Sequence, residues 1–222
     1  MELCPAHLSE YYVIQFPVES LEFSTEVTPS QYLEYARKDL QDGGDPRSII
    51  NAVSNAKRAL HLQVDTIANG YGYQKLKRSS KFPAKLEFLG EIGIATPSII
   101  SKLNALRNKV EHEYAVPDLE QIKDYCDVVE LFLRATESTI NIFPDVVEFE
   151  SNEHFDRAEN DLPRISDLPE FLSVEVLMFE AIIIIQGTDV NAGIVLEKTV
   201  TAADREYPEW TKRILEHVLR RV

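Results

Sequence analysis

Prolines cut this sequence into helix-sized pieces. Thr28-Pro29, Asp45-Pro46 and Thr96-Pro97 each set a hydroxyl or carboxylate cap before a proline at the first helical position. Pro83 and Pro117 open two further segments. Behind Asp45-Pro46, apolar residues recur at helical spacing as Ile49, Ile50, Val53, Ala56, Leu60, Val64 and Ile67. Leu86, Phe88, Leu89 and Ile92 follow Pro83, and Ile99, Ile100, Leu103, Leu106 and Val110 follow Pro97. Behind Pro117, a long helix is expected to reach about Ile142, just before Pro144. Gly43-Gly44 and Gly70-Tyr71-Gly72-Tyr73 separate these runs. The pattern predicts a mainly α fold, an antiparallel bundle of about five helices over 28–143.

The flanks differ. Residues 1–27 read as an extended N-terminal segment, in which Tyr11-Tyr12-Val13-Ile14-Gln15-Phe16 has strand composition before Pro17 and fits an edge strand or an extended arm. Residues 144–167 are rich in Glu and Asp and predict an acidic linker or surface loop. Residues 168–222 predict a small C-terminal α/β extension, a β-hairpin plus helix. Its two arms are 172–185 and 193–201 around Gly187-Thr188-Asp189-Val190-Asn191, and Pro208 opens the closing helix. Such a piece is too small to stand alone and must pack on the bundle or on a second subunit.

Composition narrows the setting. The chain is 44% hydrophobic and 27% charged, as globular proteins are. The longest apolar run, 181–185, is far too short to span a bilayer, so no membrane partner is expected. The first residues lack a basic stretch followed by an apolar one. Cys4 and Cys126 have no metal-type spacing, and Cys126 falls in an apolar helical pattern. A reducing, cytoplasmic setting follows as the expectation. No phosphate-binding glycine loop, dinucleotide fingerprint or paired-histidine zinc helix is present, and neither cofactor nor metal is expected. His7, His154 and His217 are isolated, and His61 with Asp65 reads as a helix-surface pair.

The net charge is −14, yet it is unevenly spread. Residues 57–109 carry 10 basic and 3 acidic side chains, while 1–56 and 110–222 are both strongly acidic. A basic surface for a polyanion is the functional reading of this middle stretch. Its candidates are Lys75, Lys77, Arg78, Lys81, Lys102 and Lys109.

That stretch runs into Arg107-Asn108-Lys109-Val110-Glu111-His112-Glu113-Tyr114. An arginine fork binds phosphate and stabilises the added charge of a pentavalent transition state. A histidine near neutrality moves protons between oxygens, and a helix C-terminus favours its cationic form. Asn108 and His112 lie four apart and share a helix face. Arg107 lies well round a regular helix from His112. Bringing both to one phosphate needs local unwinding, which Pro117 favours, or a second subunit.

These residues resemble the HEPN superfamily, helical domains whose ribonuclease members carry an arginine, a polar residue next to it and a histidine a few residues on. His112-Glu113-Tyr114 also matches the His-x-Tyr extension of HEPN toxins. The resemblance covers about 28–143. It implies a metal-independent endoribonuclease in which Arg107 and His112 are catalytic, Asn108 positions, and the 2′-OH of the RNA attacks. It further implies a role in toxin–antitoxin control, defence or stress response, and a cognate antitoxin or regulatory protein that modifies Tyr114; the homodimer expectation comes from the helix geometry of Arg107 and His112. A C-terminal extension like 168–222 is a departure from those toxins. The alternative expectation is a non-catalytic HEPN-like adaptor or nucleotide-binding module working through protein partners, with the apolar run 176–185 as its interface strand.

Overall fold

Thr28 starts the first helix by a reciprocal exchange. Its hydroxyl accepts from Gln31 N–H at 3.3 Å, and the Gln31 side chain accepts from Thr28 N–H at 2.9 Å. Helix α1 then runs Pro29–Gln41. Asp45 caps α2, Pro46–Gly70, accepting from Arg47 N–H at 2.8 Å and Ser48 N–H at 3.3 Å. In the computed structural model the described residues are 3–17, 19–41, 45–96, 98–99, 101–102, 118–160, 163–177 and 179–220.

The buried face of α2 carries Ala52, Ala56 and Ala59, whose short side chains let α1 approach through Leu33 and Ala36. Helix α3, Phe82–Glu91, and helix α4, Leu119–Ala135, pack on the remaining faces of α2. Residues 98, 99, 101 and 102 are helical as well. The segment behind Pro117 does not continue as one helix to Ile142. It breaks at Thr136, and a one-turn α5 follows at Glu137–Asn141. The reason is a buried polar knot. The Thr136 hydroxyl donates to Phe132 O at 2.9 Å and accepts from the Gln63 amide at 2.9 Å, which turns the chain inward. Cys126 is buried in this layer, where desolvation pushes its thiol up to about 11, the behaviour of an inert core residue.

The second layer overturns the expected fold class. Among the described residues the chain forms a five-stranded antiparallel sheet in the order β1-β2-β3-β4-β5. The strands are β1 Tyr11–Gln15, β2 Val146–Ser151, β3 Phe171–Leu177, β4 Ile182–Asp189 and β5 Gly193–Thr201. This is a mixed α/β fold, not a mainly α bundle with a small extension. Three features produce the difference. Tyr11–Gln15 joins the sheet as an edge strand on β2, so the N-terminal segment and the C-terminal half build one sheet. Within 144–167 the chain forms β2 and a helix α6, Asn152–Asn160. The run 172–185 is two strands rather than one hairpin arm, because the chain reverses between Leu177 and Ile182, which pair with each other.

One sheet face is apolar and closed. Val13, Val147, Phe149, Leu172, Val174, Ile183, Ile185 and Val200 point into it, and helix α7, Tyr207–Leu219, covers it with Trp210, Ile214 and Val218. The Phe149 ring meets His217 edge-on at 5.6 Å, and burial followed by the nearby Arg220 charge holds that imidazole below its ordinary value. The two layers share one core. Tyr207 donates from its hydroxyl to Tyr71 O at 3.0 Å, and the Tyr71 ring packs on Phe143 at 4.7 Å.

Helix α6 folds back over the outer face, with Phe155 edge-on to Tyr12 at 5.7 Å. Beside it, Glu170 is buried and tied on several sides. It accepts from Val190 N–H at 2.8 Å and Arg157 at 3.0 Å, with the His154 ring 3.5 Å away. Asp189 accepts from Glu170 N–H at 2.9 Å and from Arg164 at 2.7 Å, which fastens the 163–170 segment to the sheet.

Candidate functional site

Arg107, Asn108, Lys109, His112 and Tyr114 lie outside the described residues. Their neighbours on both sides are described. Lys102 is exposed on the helical residues before them, and after them Asp118 caps α4 by accepting from Glu120 N–H at 3.4 Å.

The other basic candidates sit on the connection between α2 and α3. Gly72 takes φ +76° as the chain leaves α2. A tight turn at Tyr73–Leu76 follows, and Lys77 reverses the chain at φ +52°. Tyr73 anchors this connection from inside. It is buried, its ring lies 5.3 Å from Phe88, and its hydroxyl donates to Ser79 O at 2.7 Å. Burial, first among its influences, raises the Tyr73 phenol above its ordinary value, so it remains a donor.

The cations then divide. Lys75 Nζ contacts Glu180 at 2.9 Å, and Arg78 sets one nitrogen 2.7 Å from each oxygen of Glu91, with its guanidinium carbon 5.9 Å from the Phe88 ring centre. Lys77 and Lys81 are exposed and make no ion pair among the described residues. Sequence counting treats all four alike. The structure leaves Lys77, Lys81 and Lys102 as exposed cations and engages Lys75 and Arg78 with carboxylates.

His61 and Asp65 are more than a surface pair. They form one wall of a cleft of about 400 Å³ whose other wall is Ser80, Lys81, Phe82, Pro83 and Lys85. The His61 ring stacks on Phe82 at 4.3 Å and 10°, and Lys85 Nζ neutralises Asp65 at 2.8 Å. That leaves Lys81 as the uncompensated charge at the mouth. The i, i+4 spacing of His61 and Asp65 was the cleft's one sequence signal; Phe82 and Lys85 come from the next helix.

A second cleft, about 390 Å³, lies between α1, α4 and α5 and has no sequence signal at all. Leu33, Leu133 and Ile140 form its apolar lining, and Arg37, Glu34, Glu130, Arg134 and Glu137 its rim. Glu130 binds Arg134 at 2.9 Å and also contacts Arg37, and these partners, Arg134 foremost, hold its carboxyl below the usual range. Its arginines are thus already matched to acids, and the rim as a whole does not favour an anion.

Among the described residues no three His, Cys, Asp or Glu side chains are grouped to hold a metal, and no helix is long and apolar enough to cross a membrane. Compared with protein-family models, curated proteins and solved structures, the chain has no match.

Proposed function

We propose that this chain is a metal-independent endoribonuclease of HEPN type, acting in toxin–antitoxin control, defence or stress response. The observation that carries the reading is the motif Arg107-Asn108-x-x-x-His112, with Tyr114 two residues on, at the end of the one net-basic stretch of an acidic chain. Exposed Lys77, Lys81 and Lys102 belong to that stretch and supply cations for an RNA backbone.

In this reaction Arg107 binds the scissile phosphate and stabilises its transition state. The ribose 2′-OH attacks phosphorus and gives up its proton, the bond to the 5′ oxygen breaks, and that oxygen takes a proton. His112 performs one of these transfers, and Asn108 positions the phosphate or the ring. The products are a 2′,3′-cyclic phosphate and a 5′-OH. A homodimer that joins two motifs in one cleft supplies the missing geometry, and a cognate antitoxin acting on Tyr114 would silence it.

The test is cleavage of total RNA by purified protein in excess chelator, with end-group analysis of the products. Wild type is expected to cut and to leave cyclic phosphates. Arg107→Ala and His112→Ala are expected to fall by at least ~100-fold, the range for a general acid–base group or an oxyanion donor. Uncut RNA, or variants that cut as well as wild type, would overturn the reading.

A non-catalytic module acting through protein partners is the second reading, and one observation favours it. Within the run 176–185, Val176, Ile183 and Ile185 are core, while Leu177 and Phe179 are exposed. β5 is one of the two edge strands of the sheet, and Ile194 and Val195 are exposed on it. A stable partner that is lost on Val195→Lys, from a protein that cuts no RNA, would support it.

A further inference from the structure

Phe179 is an exposed phenylalanine in a strained turn. It stands at the β3–β4 reversal with φ +35° and is 60% exposed. Ala181, two residues on, has φ +54°. A bulky side chain at positive φ is a genuine outlier, and such conformations persist only where the surroundings over-determine them. Here they do. Phe179 N–H donates to Gly70 O at 3.4 Å, Glu180 binds Lys75 at 2.9 Å, and Ala181 sits where a Cβ on Gly72 would be only 2.5 Å away. The turn is clamped to the basic connection at three successive residues, yet the ring it presents gains little from burial.

We propose that Phe179 is a stacking platform for a base of single-stranded RNA whose backbone runs along Lys77 and Lys81. The inference rests on the ribonuclease reading and deepens it by naming a substrate-binding residue outside the helical layer. Charge selects the occupant. The turn is seated on the α2–α3 connection at Gly72 and Lys75, and that connection goes on to carry two exposed cations, Lys77 and Lys81, without ion-pair partners among the described residues. Every base has a π-face, so an aromatic ring next to a cationic track binds single strands with little sequence preference. The fixed backbone of the turn sets where the ring stands before binding, and a pre-set platform loses little freedom on binding.

The experiment uses the full chain and a 2′-O-methyl RNA of about ten nucleotides with a central 2-aminopurine, which cannot be cleaved by 2′-OH attack. Wild type is expected to bind it and quench the 2-aminopurine. Phe179→Ala is expected to bind about fivefold or more weakly and to lose the quenching, while Phe179→Trp keeps both. Lys77→Ala/Lys81→Ala is expected to flatten the salt dependence while keeping the quenching at low salt. Unchanged affinity and quenching in Phe179→Ala would overturn the inference. So would a wild type that cuts RNA but does not bind this oligomer, which leaves the ribonuclease reading intact. A wild type that neither binds nor cuts would remove both. Unchanged RNA binding with loss of a co-purifying protein in Phe179→Ala would replace the base by a protein partner.

Discussion

Lys75 Nζ lies 2.9 Å from Glu180 Oε2, and through this contact the connection behind α2 and the β3–β4 turn become one surface. The two segments are remote in sequence and belong to different layers. The contact also takes one lysine away from whatever the basic connection binds.

Glu180→Gln should therefore release Lys75. RNA binding at low salt is expected to tighten about twofold and its salt dependence to steepen, measured by fluorescence anisotropy across a salt series. Stability should change by less than about 1 kcal/mol, because both side chains are largely exposed. Weaker binding would mean that Glu180 matters as a clamp rather than as a competitor.

Gly72 should tolerate no side chain. Its φ is +76°, and a Cβ there would meet Ala181 at 2.5 Å. Gly72→Ala is expected to destabilise the fold by about 1–3 kcal/mol in urea unfolding. Indifference to the change would show that the β3–β4 turn is not seated on this connection.

Trp210 is wholly buried between α7 and the sheet. Trp210→Ala is expected to lose about 3–5 kcal/mol. Since the helical layer and the sheet share one core, far-UV helical signal and tyrosine fluorescence should melt together in wild type and variant alike. Two separate transitions would contradict a common core.

Acid should loosen the sheet through Glu170. The Val190 N–H and then the Arg157 guanidinium hold its carboxyl below its ordinary 4.5. A folded value below the unfolded one means the stabilisation is complete above about pH 4.5 and is lost as pH falls through the folded value. Glu170→Gln is expected to be less stable than wild type at pH 7 and to lose less on acidification, followed by thermal melts from neutral pH downward. Parallel pH profiles would refute the assignment.

The helical layer was legible because its signals are local. Thr28-Pro29 and Asp45-Pro46 cap their helices through their own side chains, and apolar spacing marks the buried faces of α2 and α3. The hairpin around 190–192 was legible too, but the five-stranded sheet it belongs to was hidden for equally physical reasons. In β2, Glu148 and Glu150 alternate with buried Val147 and Phe149, so a half-buried strand resembled an acidic linker. The β3–β4 reversal uses Phe179 and Ala181 at positive φ, with no glycine or asparagine to announce it. Pairing of β1 with β2 is non-local and leaves no mark in either segment alone. At the candidate surface, charge counting found the basic connection. It missed that Glu180 and Glu91 neutralise two of its cations, because Glu180 arrives from the other layer.

The pairing of Tyr11 with Ser151 also has a consequence for the nascent chain. Between these residues the ribosome must make the described helices α1 to α5. At ~5–20 residues per second, β1 waits on the order of ten seconds for its neighbour. During that interval Tyr11 and Val13, buried in the finished protein, have no sheet to enter. Local helices form in microseconds, so helical segments meet one another before the first sheet bond is possible. The order of synthesis thus makes the helices available first, and the common core closes only when the sheet arrives.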